Sequence, residues 1–156
     1  MLKVKIEAEL KNSLRKREEL KLSVLRMLSS AIHNREIEKR SRVAEVSAAQ
    51  LSEEEIIQVI RSELKKRIDA VDAYHHGGRQ DAAKREQAEA EFLSSFLPPE
   101  LSDEELEAII AEGHTKVGAL TPKDFGKLMG WVMGRAKGRA SGERVSSIIK
   151  RHLTGS

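Results

Sequence analysis

Glycines alternate with lysines and arginines along one segment near the C-terminal end of the chain. Five of the ten glycines are spaced strictly four residues apart. A glycine inside a helix costs about 1 kcal/mol relative to alanine, so a repeated glycine indicates a compensating role. Residues four apart lie on one face of a helix, so the repeat predicts a backbone groove without side chains. The groove residues are Gly126, Gly130, Gly134, Gly138 and Gly142.

Two roles fit this groove, and the sequence leaves both open. Close packing of two helices is the simpler explanation of the glycines. It does not account for the cations between them, which could hold phosphates together with the backbone amides of a glycine turn. The candidate RNA-binding residues, expected to form one continuous basic surface, are Lys127, Arg135, Lys137, Arg139 and Arg144. Trp131 could stack on a base, although a single tryptophan in a small domain more often belongs to the core.

The net charge of +3 is unevenly distributed along the chain. Residues 98–117 carry six acidic side chains and one lysine, whereas residues 118–156 carry eight lysines and arginines and two acidic side chains. We therefore expect any site for a polyanionic partner such as RNA in the last quarter of the chain.

No arrangement of side chains predicts catalysis or metal binding. The chain has no cysteine, which excludes a disulfide framework, a thiol nucleophile and a zinc–thiolate site. The serine pairs fall on predicted helices, and the five histidines do not group as ligands or general bases. We predict no catalytic residue, no metal and no cofactor. Since the sequence shows neither a signal-peptide pattern nor a membrane-spanning apolar run, we expect a cytoplasmic protein without membrane contact.

Helix signals follow one another along the whole chain and predict an all-α fold. Four stretches predict an N-terminal bundle of long helices, at about residues 2–16, 17–41, 52–76 and 81–97. A weakly patterned segment, residues 43–51, predicts a mobile connection. Shorter helices after Pro98-Pro99 predict a small three-helix C-terminal domain that contains the basic glycine-rich segment. The predicted domains are residues 1–97 and 98–156, and we expect them to move relative to each other.

Capping signals mark three helix starts. Ser52 and Ser102 are each followed three residues later by a glutamate, which predicts a capping box. Thr121 followed by Pro122 predicts an N-cap with proline in the first turn. The helix that begins after Ser52 should direct one apolar row to the core, namely Ile57, Ile60, Leu64, Ile68 and Val71.

Several segments, in matching order and spacing, resemble the YqeY family. The segments are Leu25 to Leu28 with Ala31 to Ile37, Tyr74 with Gly78 to Asp81, Phe96 to Pro98, Gly118-Ala119, Lys123 to Gly130, and Lys137 to Gly142 with Val145. The resemblance covers essentially the whole chain. Trp131 departs from it, because a bulky residue beside the glycines is unusual for the family.

The YqeY family is similar to the C-terminal region of the GatB subunit of tRNA-dependent amidotransferase. That region shares the pattern from Gly130 to Met133 and from Lys137 to Ala140. The resemblance implies a stand-alone tRNA-binding module without a catalytic centre, grouped with carbon–nitrogen ligases that use glutamine as amido-N-donor. Three functions stay open. They are binding of tRNA or structured RNA through the C-terminal domain, an accessory role in glutamine-dependent tRNA amidotransfer with an amidotransferase partner, and a helical adaptor for another protein.

Overall fold

The computed structural model describes residues 1–42, 49–118 and 121–155. These residues form seven α-helices and no β-strand, which confirms the all-α prediction. The helices are α1 (Leu2–Lys16), α2 (Glu19–Arg40), α3 (Glu53–His76), α4 (Gln80–Ser94), α5 (Asp103–Val117), α6 (Phe125–Ala136) and α7 (Gly142–Thr154). Most of the predicted connection over residues 43–51 lies outside the described residues.

The chain divides into two compact units, Met1–Leu97 and Pro98–Ser156. The first unit contains helices α1 to α4, and the second contains helices α5 to α7. That these units are separate domains which move relative to each other stays a prediction. Within the described ranges, no helix is long and apolar enough to span a membrane.

In the first unit, the four helices bury one apolar core. Ser52 closes the predicted capping box with Glu55 and starts α3, and Gly77 follows its last residue. The core residues come from all four helices and the segment after α4, and they are Ile6, Val24, Leu25, Leu28, Ile32, Ile56, Ile60, Leu93 and Phe96. Of the apolar row predicted for α3, Ile57, Ile60 and Val71 are buried.

Arg67 points inward from α3, next to the apolar row of this helix that the sequence predicted to lie in the core. Its Nη1 lies 3.2 Å from Glu86 Oε2, and its Nε lies 3.4 Å from Glu89 Oε2. Its Nη2 also contacts the sulfur of Met27 on α2. Ile68 is 49% exposed, so its assignment to the core is wrong. Arg67, and not the neighbouring Ile68, occupies the inward side of α3 at this point, and its apolar stem is buried together with its charge partners Glu86 and Glu89.

Three glutamates of the first unit, Glu36, Glu53 and Glu55, have lowered pKa values, and two of them are partly buried. Lys39 Nζ donates to Glu55 at 2.7 Å and is the main cause that lowers the pKa of this carboxyl, followed by the backbone N–H of Ser52. Burial by itself would raise the pKa of Glu36. Hydrogen bonds and nearby positive charges, including the Lys3 ammonium that donates at 2.7 Å, lower this pKa by more than burial raises it. Both carboxylates are therefore held in the charged form by the folded state.

The second unit contains three helices around its own core. Ser102 forms the predicted capping box with Glu105 at the start of α5. Thr121 and Asp124 cap a single 3-10 turn, Pro122–Asp124, that leads directly into α6. The core consists of Leu101, Leu106, Ile110, Leu128, Val132, Ala136, Ala140, Val145, Ile148 and Ile149.

Candidate nucleic-acid interface

Three glycines of the repeat form an open face on α6, which we call the glycine face: Gly126, Gly130 and Gly134. All three are exposed, and a Cβ built on any of them meets no described atom within 4 Å. Leu128 and Val132 point into the core from the other side of the same helix. The apolar row of α6 is offset by two residues from the glycine row, so the two rows lie on opposite sides. The explanation of these glycines as close packing between helices is therefore wrong for the part of the chain that the structure describes.

The last two glycines of the repeat lie outside this face. Gly138 is buried in the loop between α6 and α7 and has a φ of 75°, a conformation that favours glycine. Gly142 is the first residue of α7, and a Cβ built on it would lie 3.8 Å from Met129 Cε. The structure thus brings three of the five predicted groove residues onto one helix face.

Lys127 and Lys137 flank the glycine face. Both side chains are exposed, and no carboxylate of the described residues lies within ion-pair distance of either. Lys137 is the C-cap of α6 and has a φ of 47°, in the left-handed region. The separation of ten positions between the two lysines corresponds to about 15 Å along a helix, which is long enough to follow several phosphates of a nucleic-acid strand.

Trp131 packs into the second unit. A Cβ at Gly113 of α5 would come within 2.6 Å of Trp131 Cε3, so only a glycine at this position leaves room for the indole ring. Arg135 covers the ring with its guanidinium 5.5 Å from the ring centroid, and its Nη2 lies 3.3 Å from Glu112 Oε1. Gly113 is therefore the glycine that permits close helix packing. Its role could have been suspected from the cost of a single glycine inside the predicted helix after Ser102.

Arg139 and Arg144 hold the segment before α5 against the α6–α7 loop. Arg139 Nε donates to the carbonyl of Pro99 at 2.9 Å. Arg144 donates to Asp103 Oδ1 through Nε at 3.1 Å and Nη2 at 2.6 Å, and its Nη1 lies 3.5 Å from Glu100 Oε2. These two predicted RNA-binding residues thus have acceptors within the unit, as Arg135 has. A continuous basic surface made of all five cations stays a prediction.

A second basic cluster lies around the first residue of α6, and its lysines were missed as candidate RNA-binding residues. Phe125 packs against the core of the unit, and Lys150 of α7 places its Nζ 5.9 Å from the ring centroid. Lys123 lies in the 3-10 turn, two residues before the ring. The sequence separation between Lys123 and Lys150 hid this cluster, although antiparallel pairing of α6 and α7 would have predicted it.

A metal site and a charged cavity would be the other kinds of candidate site in the described residues. Within the described part of the chain, no three acidic or histidine side chains lie close enough to hold a metal ion. A cavity of about 790 Å³ lies between α2 and α3. Its lining includes Arg35, paired with Glu38 at 2.9 Å, and Lys66, paired with Glu63 at 2.7 Å. These charges are therefore already compensated inside the first unit.

Comparison with known proteins matches nearly the whole chain to one family. The family model described as Yqey-like protein matches residues 3–153. A relative from Lachancea thermotolerans, altered inheritance of mitochondria protein 41, mitochondrial, is 24% identical over 154 residues, which cover 95% of this chain and 79% of the relative. The family match begins in α1 and ends in α7, so it includes both compact units. The chain therefore belongs to the YqeY family.

Proposed function

We propose that the chain is an RNA-binding helical module whose second unit binds the phosphate backbone of tRNA or structured RNA along the glycine face. The observation that carries this proposal is the open row of Gly126, Gly130 and Gly134 on a helix that carries the exposed Lys127 near its start and ends at the exposed Lys137. Neither lysine has a carboxylate partner among the residues that the structure describes.

The glycine face costs folding free energy that its own unit does not recover. A glycine in a helix costs about 1 kcal/mol relative to alanine, and none of the three glycines receives a described side chain that would justify the missing Cβ. A partner that needs to approach the backbone closely supplies such a reason. A phosphate strand fits best, because the exposed ammonium groups at the two ends of the face are compensated by no carboxylate of the described chain.

The cations of the second unit contribute unequally in this proposal. Lys127 and Lys137 are expected to release the most counterions, because their charges are not already paired. Arg135 and Arg144 lie within ion-pair distance of carboxylates, so a phosphate would have to compete with those groups. The accessory role in glutamine-dependent tRNA amidotransfer that the family resemblance implies would use the same surface, with the chemistry supplied by other subunits.

Binding of unmodified tRNA across a salt series tests the proposal. The double variant K127A/K137G removes the two unpaired cations beside the glycine face, and glycine at position 137 tolerates the left-handed backbone. We expect weaker binding and a flatter dependence of log K on log salt, by about 0.7 to 0.9 for each lost phosphate contact. The matched control is K11A/K84A, which removes two exposed cations of the first unit. Equal affinities and equal slopes for wild type and K127A/K137G would contradict the proposal.

A protein adaptor is the second candidate, and the same open glycine face favours it. A helix supplied by an amidotransferase or another protein could pack closely against a row of three glycines. Such a complex would depend little on salt, because it would be stabilised by backbone proximity and apolar contact rather than by counterion release. A cytoplasmic location stays an expectation, and the relative from Lachancea thermotolerans is named as mitochondrial.

A further inference from the structure

Lys123, Phe125 and Lys150 form a compact group at the start of α6, which we call the Phe125 cluster. The 3-10 turn that carries Lys123 contacts both α6 and α7. Phe125 is half-buried at the edge of the core, so its ring is fixed by packing and still reaches solvent. Both lysines are exposed, and Lys150 Nζ lies 5.9 Å from the ring centroid. The group therefore combines an aromatic ring held by packing with two exposed cations.

The lysines of the Phe125 cluster carry charge that the described residues do not pair. No carboxylate of residues 1–42, 49–118 or 121–155 lies within ion-pair distance of Lys123 or Lys150. The acidic residue of the same turn, Asp124, accepts hydrogen bonds from the backbone N–H of Thr121 at 3.1 Å and from its hydroxyl at 3.3 Å. The cluster thus differs from Arg135 and Arg144, which lie against glutamate and aspartate side chains.

We infer that the Phe125 cluster binds an unpaired nucleotide of the RNA, with the base on the Phe125 ring and phosphates on Lys123 and Lys150. The inference rests on the proposed function and adds a preference for single-stranded RNA. A fixed aromatic ring beside cations is the combination by which proteins bind single strands. The ammonium of Lys150 lies near the outer limit of a cation–π contact, so the base displaces it from the ring at little cost. The displaced ammonium then meets the adjoining phosphate.

An unpaired base is required because the ring can stack only on a base whose face is free. In an RNA duplex, both faces of each internal base are covered by neighbouring bases, and recognition uses the shape and the backbone. The glycine face needs only a phosphate backbone and should accept either form. The two surfaces therefore predict different responses to the same pair of RNA probes.

The test compares a short oligouridine with a blunt RNA duplex that has the same number of phosphates. Phe125→Leu keeps an apolar side chain for the core but removes the ring, and Phe125→Tyr keeps the ring. We expect Phe125→Leu to lose about tenfold in affinity for oligouridine and to bind the duplex like wild type, whereas Phe125→Tyr retains both affinities. If Phe125→Leu unfolds, the double variant K123A/K150A replaces it. This variant should lose more affinity for oligouridine than the control K11A/K84A.

Two different failures can be told apart. If wild type binds both probes with steep salt dependence and the cluster variants bind oligouridine like wild type, the inference is wrong and the proposed function stands. If wild type binds neither probe, nor tRNA, at low salt, the proposed function is wrong and the inference falls with it. Equal loss of affinity for duplex and oligouridine in Phe125→Leu would also overturn the inference, because the ring would then not read an unpaired base.

Discussion

Replacing the glycine face by alanine should stabilise the second unit and weaken its binding to RNA. The triple variant Gly126→Ala, Gly130→Ala and Gly134→Ala adds three methyl groups that meet no described atom within 4 Å. Each substitution in a helix interior is worth about 0.5 to 1 kcal/mol, and Gly126 in the first turn should contribute least. We therefore expect the free energy of unfolding of the second unit to rise by about 2 kcal/mol.

Urea unfolding followed by fluorescence measures this change in the second unit. Trp131 is the only tryptophan of the chain, and it lies in α6, so its emission reports on the unit that carries the substitutions. Gly113→Ala is the control of opposite sign, because its Cβ would lie 2.6 Å from the indole ring and should cost about 1 to 3 kcal/mol. Lower stability of the triple variant would refute the open glycine face. Higher stability with unchanged affinity for tRNA would refute its role in binding.

Two further predictions concern the first unit. The pKa values of Glu36 and Glu55 are lowered in the folded state, so their contribution to stability is present above the ordinary carboxyl pKa and is lost as the pH falls through the lowered values. Urea unfolding followed by circular dichroism should therefore show a smaller loss of unfolding free energy between pH 6 and pH 3 in Glu55→Gln than in wild type. Equal losses in the two proteins would contradict this prediction. Arg67→Met should lower the free energy of unfolding by about 3 kcal/mol, because it leaves the exposed Arg85, at 3.4 Å, as the remaining partner of the buried Glu89. The double variant R67M/E89L should recover part of that loss in the same assay, whereas no recovery would show that the ion pair is not the cause.

The sequence predicted the helices well because their signals are local. Ser52 and Ser102 each supply a capping box within four residues, and Gly77 lies directly beyond the last residue of α3. The apolar period of α3 was right for Ile57, Ile60 and Val71, which are buried. It was wrong for Ile68, because the inward side of α3 is shared with Arg67, whose partners come from another helix. A local period contains no information about such a partner.

The candidate site was predictable only in part, for the same reason. The four-residue repeat correctly placed Gly126, Gly130 and Gly134 on one helix face, but it could not show whether that face meets another helix or solvent. The cations were identified by type, whereas their charge pairing depends on residues far along the chain. Arg144 lies 2.6 Å from Asp103, across most of the second unit's sequence.

Whether RNA lies along the glycine face is tested most directly by nuclear magnetic resonance of the isotope-labelled protein during titration with tRNA. The backbone amides of Gly126, Gly130 and Gly134 should shift or broaden at the lowest RNA concentrations, and added salt should reverse the change. Gly77 and Gly78, between α3 and α4, provide the internal reference and should stay unchanged. Perturbation confined to glycines outside α6, or none at saturating tRNA, would contradict binding at the glycine face.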